Sequence, residues 1–331
     1  MFTERYILVP SVSIHPDELY IYGQKDWISE PSYPKRNSLY NLQFNSHHNK
    51  LSQKAKSKAK RAIKYLIYQS SVKTAYNHKT KSRFKFKVCF ITLTLSSRQR
   101  HSDQEVKKVL LNQFLIEAKK KWGVTNYVWK SERQRNGNIH FHILTDRFIP
   151  WLELRNCWNR IQNKLGYVDE YEQKFNKKSP NSTDVHSLKD IKNVSAYMVK
   201  YMVKNEQKKH TQVSSKEVKK LSGLGKAKLS LTKGAKLFLA KMSNNGRIWT
   251  CSTNLSNIKG ARSEVTEEIE QELNNLKRED GIRVINKEHF TGIFYKNKTI
   301  TKSKYPHLYE LLSKFLDELF PKQQKEIWND E

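Results

Sequence analysis

The chain has 331 residues and a formal charge of +30, from 62 Lys and Arg against 32 Asp and Glu. This length allows one large or two ordinary domains with buried cores, and an aromatic content of 11% excludes a disordered basic tail. The longest largely apolar run, Val88 to Leu95, is too short to cross a membrane, and the N-terminus lacks a secretory pattern. With only three, widely spaced cysteines, we expect a cytoplasmic protein that binds a polyanion and no membrane.

The positive charge is concentrated in two stretches. Residues 31–102 carry seventeen Lys and Arg and no Asp or Glu, and residues 200–241 carry twelve Lys against two Glu. Such fields attract phosphate backbones through counterion release. A solvated, lysine-rich surface is the alternative, but the clustering favours nucleic-acid binding.

The first predicted elements are a basic arm and a helix. Four prolines within residues 1–48 predict an irregular, extended arm. Residues 52–70 lack Gly and Pro and are rich in Ala and Lys, which predicts a helix with one docked face, followed by a Lys-rich loop. Residues 1–84 are therefore interpreted as a basic arm and helix that hold DNA. The side chains expected to contact DNA are Lys54, Lys58, Arg61, Lys64, Lys81, Arg83, Lys85 and Lys87.

The next segment alternates strands and helices. The predicted order is strand, helix, hairpin, helix, strand and helix, and Asn136-Gly137 marks the hairpin. This order predicts an α+β fold, an antiparallel sheet flanked by helices, in a domain over residues 85–255 with a motif core at 85–205. The elements cover, in that order, residues 84–95, 102–121, 126–132 with 139–145, 150–165, 184–188 after a charged insertion, and 190–204.

The remainder of the chain is predicted to be mixed. Residues 246–255 predict one more strand of the domain, residues 264–279 an acidic helix, and residues 305–319 an amphipathic helix. Residues 256–331 form a C-terminal α/β region whose sequence indicates no role.

The sharpest pattern is His140-Phe141-His142, in the second strand of the hairpin. Residues two apart on a strand share a face, so both imidazoles project together. Two neutral imidazoles need only a carboxylate to form a divalent-metal site, and Glu132 on the preceding strand is the candidate. A pair of surface histidines without a metal is the alternative.

The hairpin register decides whether Glu132 reaches this site. A two-residue turn pairs Glu132 with Phe141 and turns its carboxylate away. A three-residue loop with a bulge instead puts Glu132 opposite His142 and Gln134 opposite His140. Gln134 is therefore the substitute third ligand.

A tandem repeat, YMVKYMVK, occupies residues 197–204. On a helix, Tyr197 and Tyr201 share one face, and Lys200 and Lys204 follow them by three positions. A lysine at that distance can lower a phenol pKa or hold a phosphate. Packing aromatics with a solvated lysine edge are the alternative. A nearby metal that polarises a phosphodiester would favour the phenols as nucleophiles.

Three segments resemble, in order and spacing, the three motifs of the HUH endonucleases, the rolling-circle replication initiators. They are FITLTL at residues 90–95, GNIHFHIL at 137–144 and SAYMVKYMVK at 195–204. The two tyrosines with following lysines are most similar to the two-tyrosine initiators of small single-stranded-DNA phages, including microviruses, and of related plasmids. The resemblance covers about residues 84–205.

The resemblance implies a DNA endonuclease and strand transferase that nicks single-stranded origin DNA with Mg²⁺ or Mn²⁺. One tyrosine would be captured on the 5′ phosphate, a 3′-OH would be left for a host DNA polymerase, and Tyr197 and Tyr201 would alternate. His140, His142 and Glu132 would hold the metal. Because SGLGK at 222–226 does not complete a phosphate-binding loop, a host helicase is the implied unwinding partner.

Two alternatives stay open. A transposase or relaxase would use the same chemistry, although a third downstream histidine of the relaxase type is missing from the sequence. A noncatalytic nucleic-acid-binding module on an RRM-like sheet would carry exposed aromatics on its central strands rather than two histidines on one face.

Overall fold

The computed structural model describes residues 6–27, 51–77, 81–134, 136–187, 246–296 and 298–320. They fall into two compact units, a smaller one drawn from residues 1–45 and 257–331 and a larger one drawn from residues 46–256. Antiparallel sheets flanked by helices confirm the predicted α+β class. Within the described ranges, no helix is long and apolar enough to cross a membrane. The functional division at residues 84 and 255 stays a prediction.

The described elements are numbered in chain order. They are β1 (Tyr6–His15), β2 (Glu18–Trp27), α1 (Gln53–Gln69), β3 (Lys73–Asn77), β4 (Ser82–Phe86), β5 (Cys89–Thr94), α2 (Asp103–Glu105), a π-helical segment (Val106–Leu111), α3 (Asn112–Trp122), β6 (Tyr127–Arg133), β7 (Ile139–Thr145), α4 (Trp151–Gln162), a 3₁₀ turn (Asn163–Leu165), α5 (Tyr167–Phe175), β8 (Thr183–Ser187), β9 (Trp249–Cys251), α6 (Thr253–Asn257), β10 (Ala261–Glu264), α7 (Glu267–Lys277), β11 (Arg283–Lys287), β12 (Phe290–Phe294) and α8 (Pro306–Leu319).

The larger unit is built on a five-stranded antiparallel sheet in the order β8-β5-β7-β6-β9. Strand side chains alternate between faces, and on one face Leu93 and Phe141 are fully buried against Phe114 of α3 and Trp158 of α4. The Trp158 indole N–H donates to the Thr94 carbonyl at 2.7 Å, which ties α4 to β5. The alternate residues of the same strands, including both predicted metal-binding histidines, therefore face away from these helices.

Helix α1 confirms the predicted docked helix. Ser52 Oγ accepts a hydrogen bond from the Ala55 N–H at 3.1 Å, which caps the first turn. Ile63 and Leu66 are fully buried, and the helix contacts β6 and β9. The predicted docking face is thus the apolar second half of the helix.

The Lys-rich loop expected after α1 is wrong, because β3 and β4 form an antiparallel hairpin there. In β4, Phe84 and Phe86 alternate with Arg83 and Lys85, which is a strand pattern. The two rings lie 5.9 Å apart between centroids on one side, and the basic side chains are exposed on the other.

The irregular N-terminal arm is also wrong for residues 6–27, where β1 and β2 form a long antiparallel hairpin. The chain turns at Pro16-Asp17, where the fixed φ of proline suits a turn. Pro10 lies within β1, and its carbonyl accepts from the Val265 N–H at 2.9 Å. The alternation of buried residues such as Val12 and Ile14 decides the structure, rather than the prolines.

In the smaller unit, β1 and β2 pair with strands from the other end of the chain. The sheet order is β10-β1-β2-β12-β11, with every pair antiparallel. On its inner face, Val12, Ile14 and Leu19 are fully buried against Leu273 of α7 and Leu312 of α8. The acidic and amphipathic helices are confirmed, whereas β10, β11 and β12 were not predicted.

Two other segments differ from expectation. The charged insertion before β8 contains α5, where Asn163 Oδ1 accepts from the Val168 and Asp169 N–H groups at 3.1 and 3.0 Å. Within residues 246–255 only β9 is a strand, because a hydrogen bond from the Ser256 N–H to the Ser252 carbonyl begins α6. The helix predicted over 190–204 lies outside the described residues.

A polar network fixes the loop between β6 and β7. Asn138 Oδ1 accepts from the Gln99 N–H at 2.9 Å, and Gln99 Oε1 accepts from the Ile139 N–H at 2.7 Å. Arg133 forms a 2.7 Å ion pair with Asp103, whose side chain is 1% exposed. Sliding one strand along the other would break these bonds, so they hold the hairpin in a single register.

We expect Arg133→Met to destabilise the larger unit by about 3–5 kcal/mol, because it leaves the buried Asp103 carboxylate without its charged partner. The measurement is the free energy of unfolding from denaturant titration. Arg98→Met is the matched control, since Arg98 is exposed. Equal stability of the two variants would contradict this role for the ion pair.

Candidate metal centre

Strands β6 and β7 bring the three predicted metal ligands together. The observed register places Glu132 directly opposite His140 across a loop of residues 135–137. Neither expected register occurs, since Glu132 pairs with neither Phe141 nor His142. The offset from His142 to His140 is two residues, so Glu132 stays on the face that carries both imidazoles. We call this side of the sheet the histidine face.

Gln134 closes the turn instead of standing opposite His140. Its N–H donates to the Asn138 carbonyl at 2.8 Å, and its carbonyl accepts from the Gly137 N–H at 2.9 Å. Gly137 has φ +86°, a conformation that favours glycine, and Asn136 Oδ1 accepts from the Asn138 N–H at 3.0 Å. The Asn136-Gly137 hairpin signal is confirmed, but the substitution of Gln134 for Glu132 finds no support in this register.

His142 is held on two sides by strand β5. Its Nδ1 lies 3.2 Å from Thr92 Oγ1, directly across the strand pair. The Phe90 ring stacks on the imidazole, with centroids 5.1 Å apart and planes 17° apart. A metal at Nε2 requires the ring proton at Nδ1, where Thr92 Oγ1 can accept it, so this contact selects the tautomer that ligation needs.

Glu132 uses its two carboxylate oxygens differently. Oε1 pairs with the buried Lys130 ammonium at 2.6 Å. Oε2 lies 3.7 Å from His140 Nε2 and 3.6 Å from His142 Nε2. Lys130 therefore orients the carboxylate so that the second oxygen points between the imidazoles.

The protonation states suit metal binding. Burial alone would raise the pKa of Glu132, but the imidazoles of His140 and His142 and the ammonium of Lys130 hold it well below its usual range. Burial lowers the pKa of His140, against the opposing effect of Glu132. At neutral pH the site therefore offers an ionised carboxylate and a neutral imidazole, the forms that bind a cation.

The residues fit a divalent cation. Donors that each lie about 2.1 Å from one ion are at most about 4.2 Å apart, and the two Glu132–imidazole distances satisfy this limit. Ligand atoms of all three side chains lie within 4.8 Å of one another. His140 Nε2 is buried and makes no hydrogen bond within the described part of the chain, as expected of an atom reserved for a metal. Carboxylate and imidazole donors are compatible with Mg²⁺ or Mn²⁺ but do not identify the metal.

The other predicted site residues are placed as follows. Tyr197, Tyr201, Lys200 and Lys204 lie outside the described residues. Among the predicted DNA contacts, Lys64 and Lys87 are half-buried, with Lys64 Nζ 5.5 Å from the Tyr68 ring centroid. The exposed ones are Lys54, Lys58, Arg61, Lys81, Arg83 and Lys85.

Several residues of the histidine face were not among the predicted site residues. Thr92 and Phe90 share their sides of the strand with Asp184 and His186 of β8, which form a 2.6 Å ion pair at an exposed position. Lys130 is the charged partner of Glu132. Period-two alternation from Phe90 to Thr94 would have shown which residues share the face, but only the cross-strand register shows which of them meet.

Comparison with protein families gives one match. Residues 88–206 match the model of a family of replication-associated proteins, the ORF2 family. The matched segment contains Glu132 and both histidines, and it extends past Tyr197 and Tyr201. No curated protein and no solved structure shows significant similarity to the chain. The match supports a role in replication initiation and, with it, binding to DNA.

We expect Thr92→Val to weaken Mn²⁺ binding by about 10- to 100-fold, because a partner that orients a ligating histidine is removed at nearly constant volume. The measurement is titration of the purified chain with Mn²⁺, followed by the electron paramagnetic resonance of the free ion. Glu132→Gln should weaken binding at least as strongly.

Thr94→Val is the matched control. Thr94 lies two residues along β5, and its hydroxyl donates to the Ser182 carbonyl at 2.8 Å rather than contacting His142. Equal Mn²⁺ affinities of the Thr92 and Thr94 variants would show that the hydroxyl at position 92 does not orient a ligand.

Proposed function

We propose that this chain initiates DNA replication by nicking and rejoining single-stranded origin DNA, through metal-assisted transesterification by a tyrosine. The observation that carries the proposal is the convergence of Glu132, His140 and His142 on one sheet face, inside the segment that matches a replication-associated family. The tandem tyrosines of the same matched segment supply the nucleophiles.

The chemistry conserves the energy of the broken bond. A phenolate oxygen, from Tyr197 or Tyr201, attacks the phosphorus, the P–O3′ bond breaks, and the leaving 3′ oxygen takes up a proton. The 5′ phosphate is then bonded to tyrosine. In the reverse step a 3′-OH loses its proton, attacks the phosphotyrosine and releases the phenol. No ATP is consumed, so the same residues can cut and rejoin.

The residues divide the work between them. Glu132, His140 and His142 would hold the cation, which when bound polarises the phosphate and stabilises the leaving oxygen. Thr92 and Lys130 keep the His142 ring and the Glu132 carboxylate oriented. In this proposal, Lys200 and Lys204 lower the pKa of the phenols or hold the phosphate, and a host helicase and polymerase extend the 3′-OH.

We expect labelled single-stranded origin DNA and Mn²⁺ to give an SDS-resistant protein–DNA adduct. Tyr197→Phe and Tyr201→Phe should each retain part of the cleavage, since one nucleophile remains, and the double variant should retain none. Denaturing gel electrophoresis measures the adduct. Full adduct formation in EDTA or by His142→Ala would contradict the metal's role.

The tyrosine variants distinguish two mechanisms. Loss of all cleavage and joining in one single variant would favour a single-tyrosine nuclease, as in some relaxases or transposases. The absence of any adduct with the wild-type chain would favour a noncatalytic nucleic-acid-binding protein.

The exposed basic residues of α1 suggest how DNA is held beside the sheet. We expect Lys54→Gln, Lys58→Gln and Arg61→Gln together to weaken single-strand binding and to make the slope of log affinity against log salt shallower by about 2, at about 0.7 per lost phosphate contact. Fluorescence anisotropy at several salt concentrations measures both quantities.

A matched triple variant provides the control. The exposed residues Lys108, Lys119 and Lys120 lie on the helices that cover the opposite face of the sheet. Neutralising these three changes the net charge equally, so an equal change in slope would assign the effect to overall charge rather than to α1.

A further inference from the structure

The smaller unit carries aromatic rings on the outer face of its sheet. Tyr20 and Tyr22 lie on β2, and Phe290 and Phe294 lie on the adjacent β12, alternating with inward residues that pack against α7 and α8. In the register, Phe290 stands directly opposite Tyr22. These four side chains form what we call the aromatic platform.

The rings of the aromatic platform contact one another over a glycine. Tyr20 lies edge-on to Phe290 and Phe294, with centroid distances of 5.8 and 6.2 Å. Gly292 lies opposite Tyr20, and a Cβ at this position would be 3.2 Å from the Phe294 ring and 3.3 Å from the Tyr20 ring. The missing side chain therefore lets the rings close into a continuous surface.

The platform is open to solvent and bordered by positive charge. Phe290 is 40% exposed, and across β1 the small residues Ser11 and Ser13 lie opposite the two tyrosines. Two acids, Glu18 and Glu264, share this face, so three basic residues leave it net positive. The exposed basic residues on its two edge strands are Arg262 on β10 and Arg283 and Lys287 on β11.

We propose that the aromatic platform binds single-stranded DNA by base stacking, with phosphates held by the basic residues of the two edge strands. Every base has a π-face, so stacking on protein rings is tolerant of sequence, and flanking cations follow the backbone. The bases of a duplex are already stacked, which restricts the platform to single strands. This inference does not rest on nicking, because the residues belong to the other unit and need no metal.

The test uses the full chain in EDTA, where no cleavage occurs. The probes are a labelled oligothymidylate and the same oligonucleotide with abasic sites, which keeps the phosphates but has no bases to stack. Tyr22→Leu with Phe290→Leu removes two π-faces while keeping apolar bulk, and Tyr22→Phe with Phe290→Tyr retains them. Photocrosslinking of an iodouracil oligonucleotide, read by mass spectrometry, locates the contacted residues.

We expect the leucine variant to bind the thymidylate at least about tenfold more weakly, and the abasic probe unchanged. The aromatic swap should bind both probes like wild type, and crosslinks should fall on β2 and β12. Equal binding of both probes by the leucine variant and wild type, or crosslinks only within residues 46–256, would overturn the proposal. A platform-dependent preference for the matching RNA would assign the surface to RNA instead.

The two proposals fail separately. Loss of platform binding with an intact phosphotyrosine adduct would refute only the platform. Platform crosslinking without an adduct would refute only the nicking function.

Discussion

The offset between β6 and β7 is the constraint on which the metal centre depends. Glu132 reaches both imidazoles because it stands opposite His140, and a slip of one residue would turn its carboxylate toward the helical core. Arg133 follows Glu132 and points to the opposite face, where it is paired with the buried Asp103. The register of the histidine face is thus held by bonds made on the other side of the same strand, together with those of Gln99.

Charge is balanced around one carboxylate. Lys130 takes one oxygen of Glu132 and leaves the other directed at the imidazoles. A buried carboxylate without a partner would be costly, so the ammonium lets the three ligands stand assembled before a cation arrives. Thr92 and Phe90 fix the His142 ring in the same way. Such preorganisation keeps the ligands from having to be ordered at the moment of binding.

Sequence patterns predicted elements well where periodicity and local caps agreed, as in α1 with its Ser52 cap and in the hairpin around Asn136-Gly137. The register was not predictable, because loops of two and three residues both suit that dipeptide and the choice depends on Gln99, distant in sequence. The strands β10 to β12 were missed, since they are short and their partners lie at the opposite end of the chain. Likewise, the parts played by Thr92 and Lys130 are visible only through their cross-strand neighbours.

The sheet order β10-β1-β2-β12-β11 has a consequence for biosynthesis. The N-terminal hairpin leaves the ribosome first, yet both of its edges and one apolar face lack their partners until residues 257–320 have been made. The contiguous unit over residues 46–256 meets no such delay and can fold while translation continues. Throughout that interval the hairpin exposes unpaired strand edges, which are sites for aggregation. Completion of the smaller unit is therefore the last step in maturation of the chain.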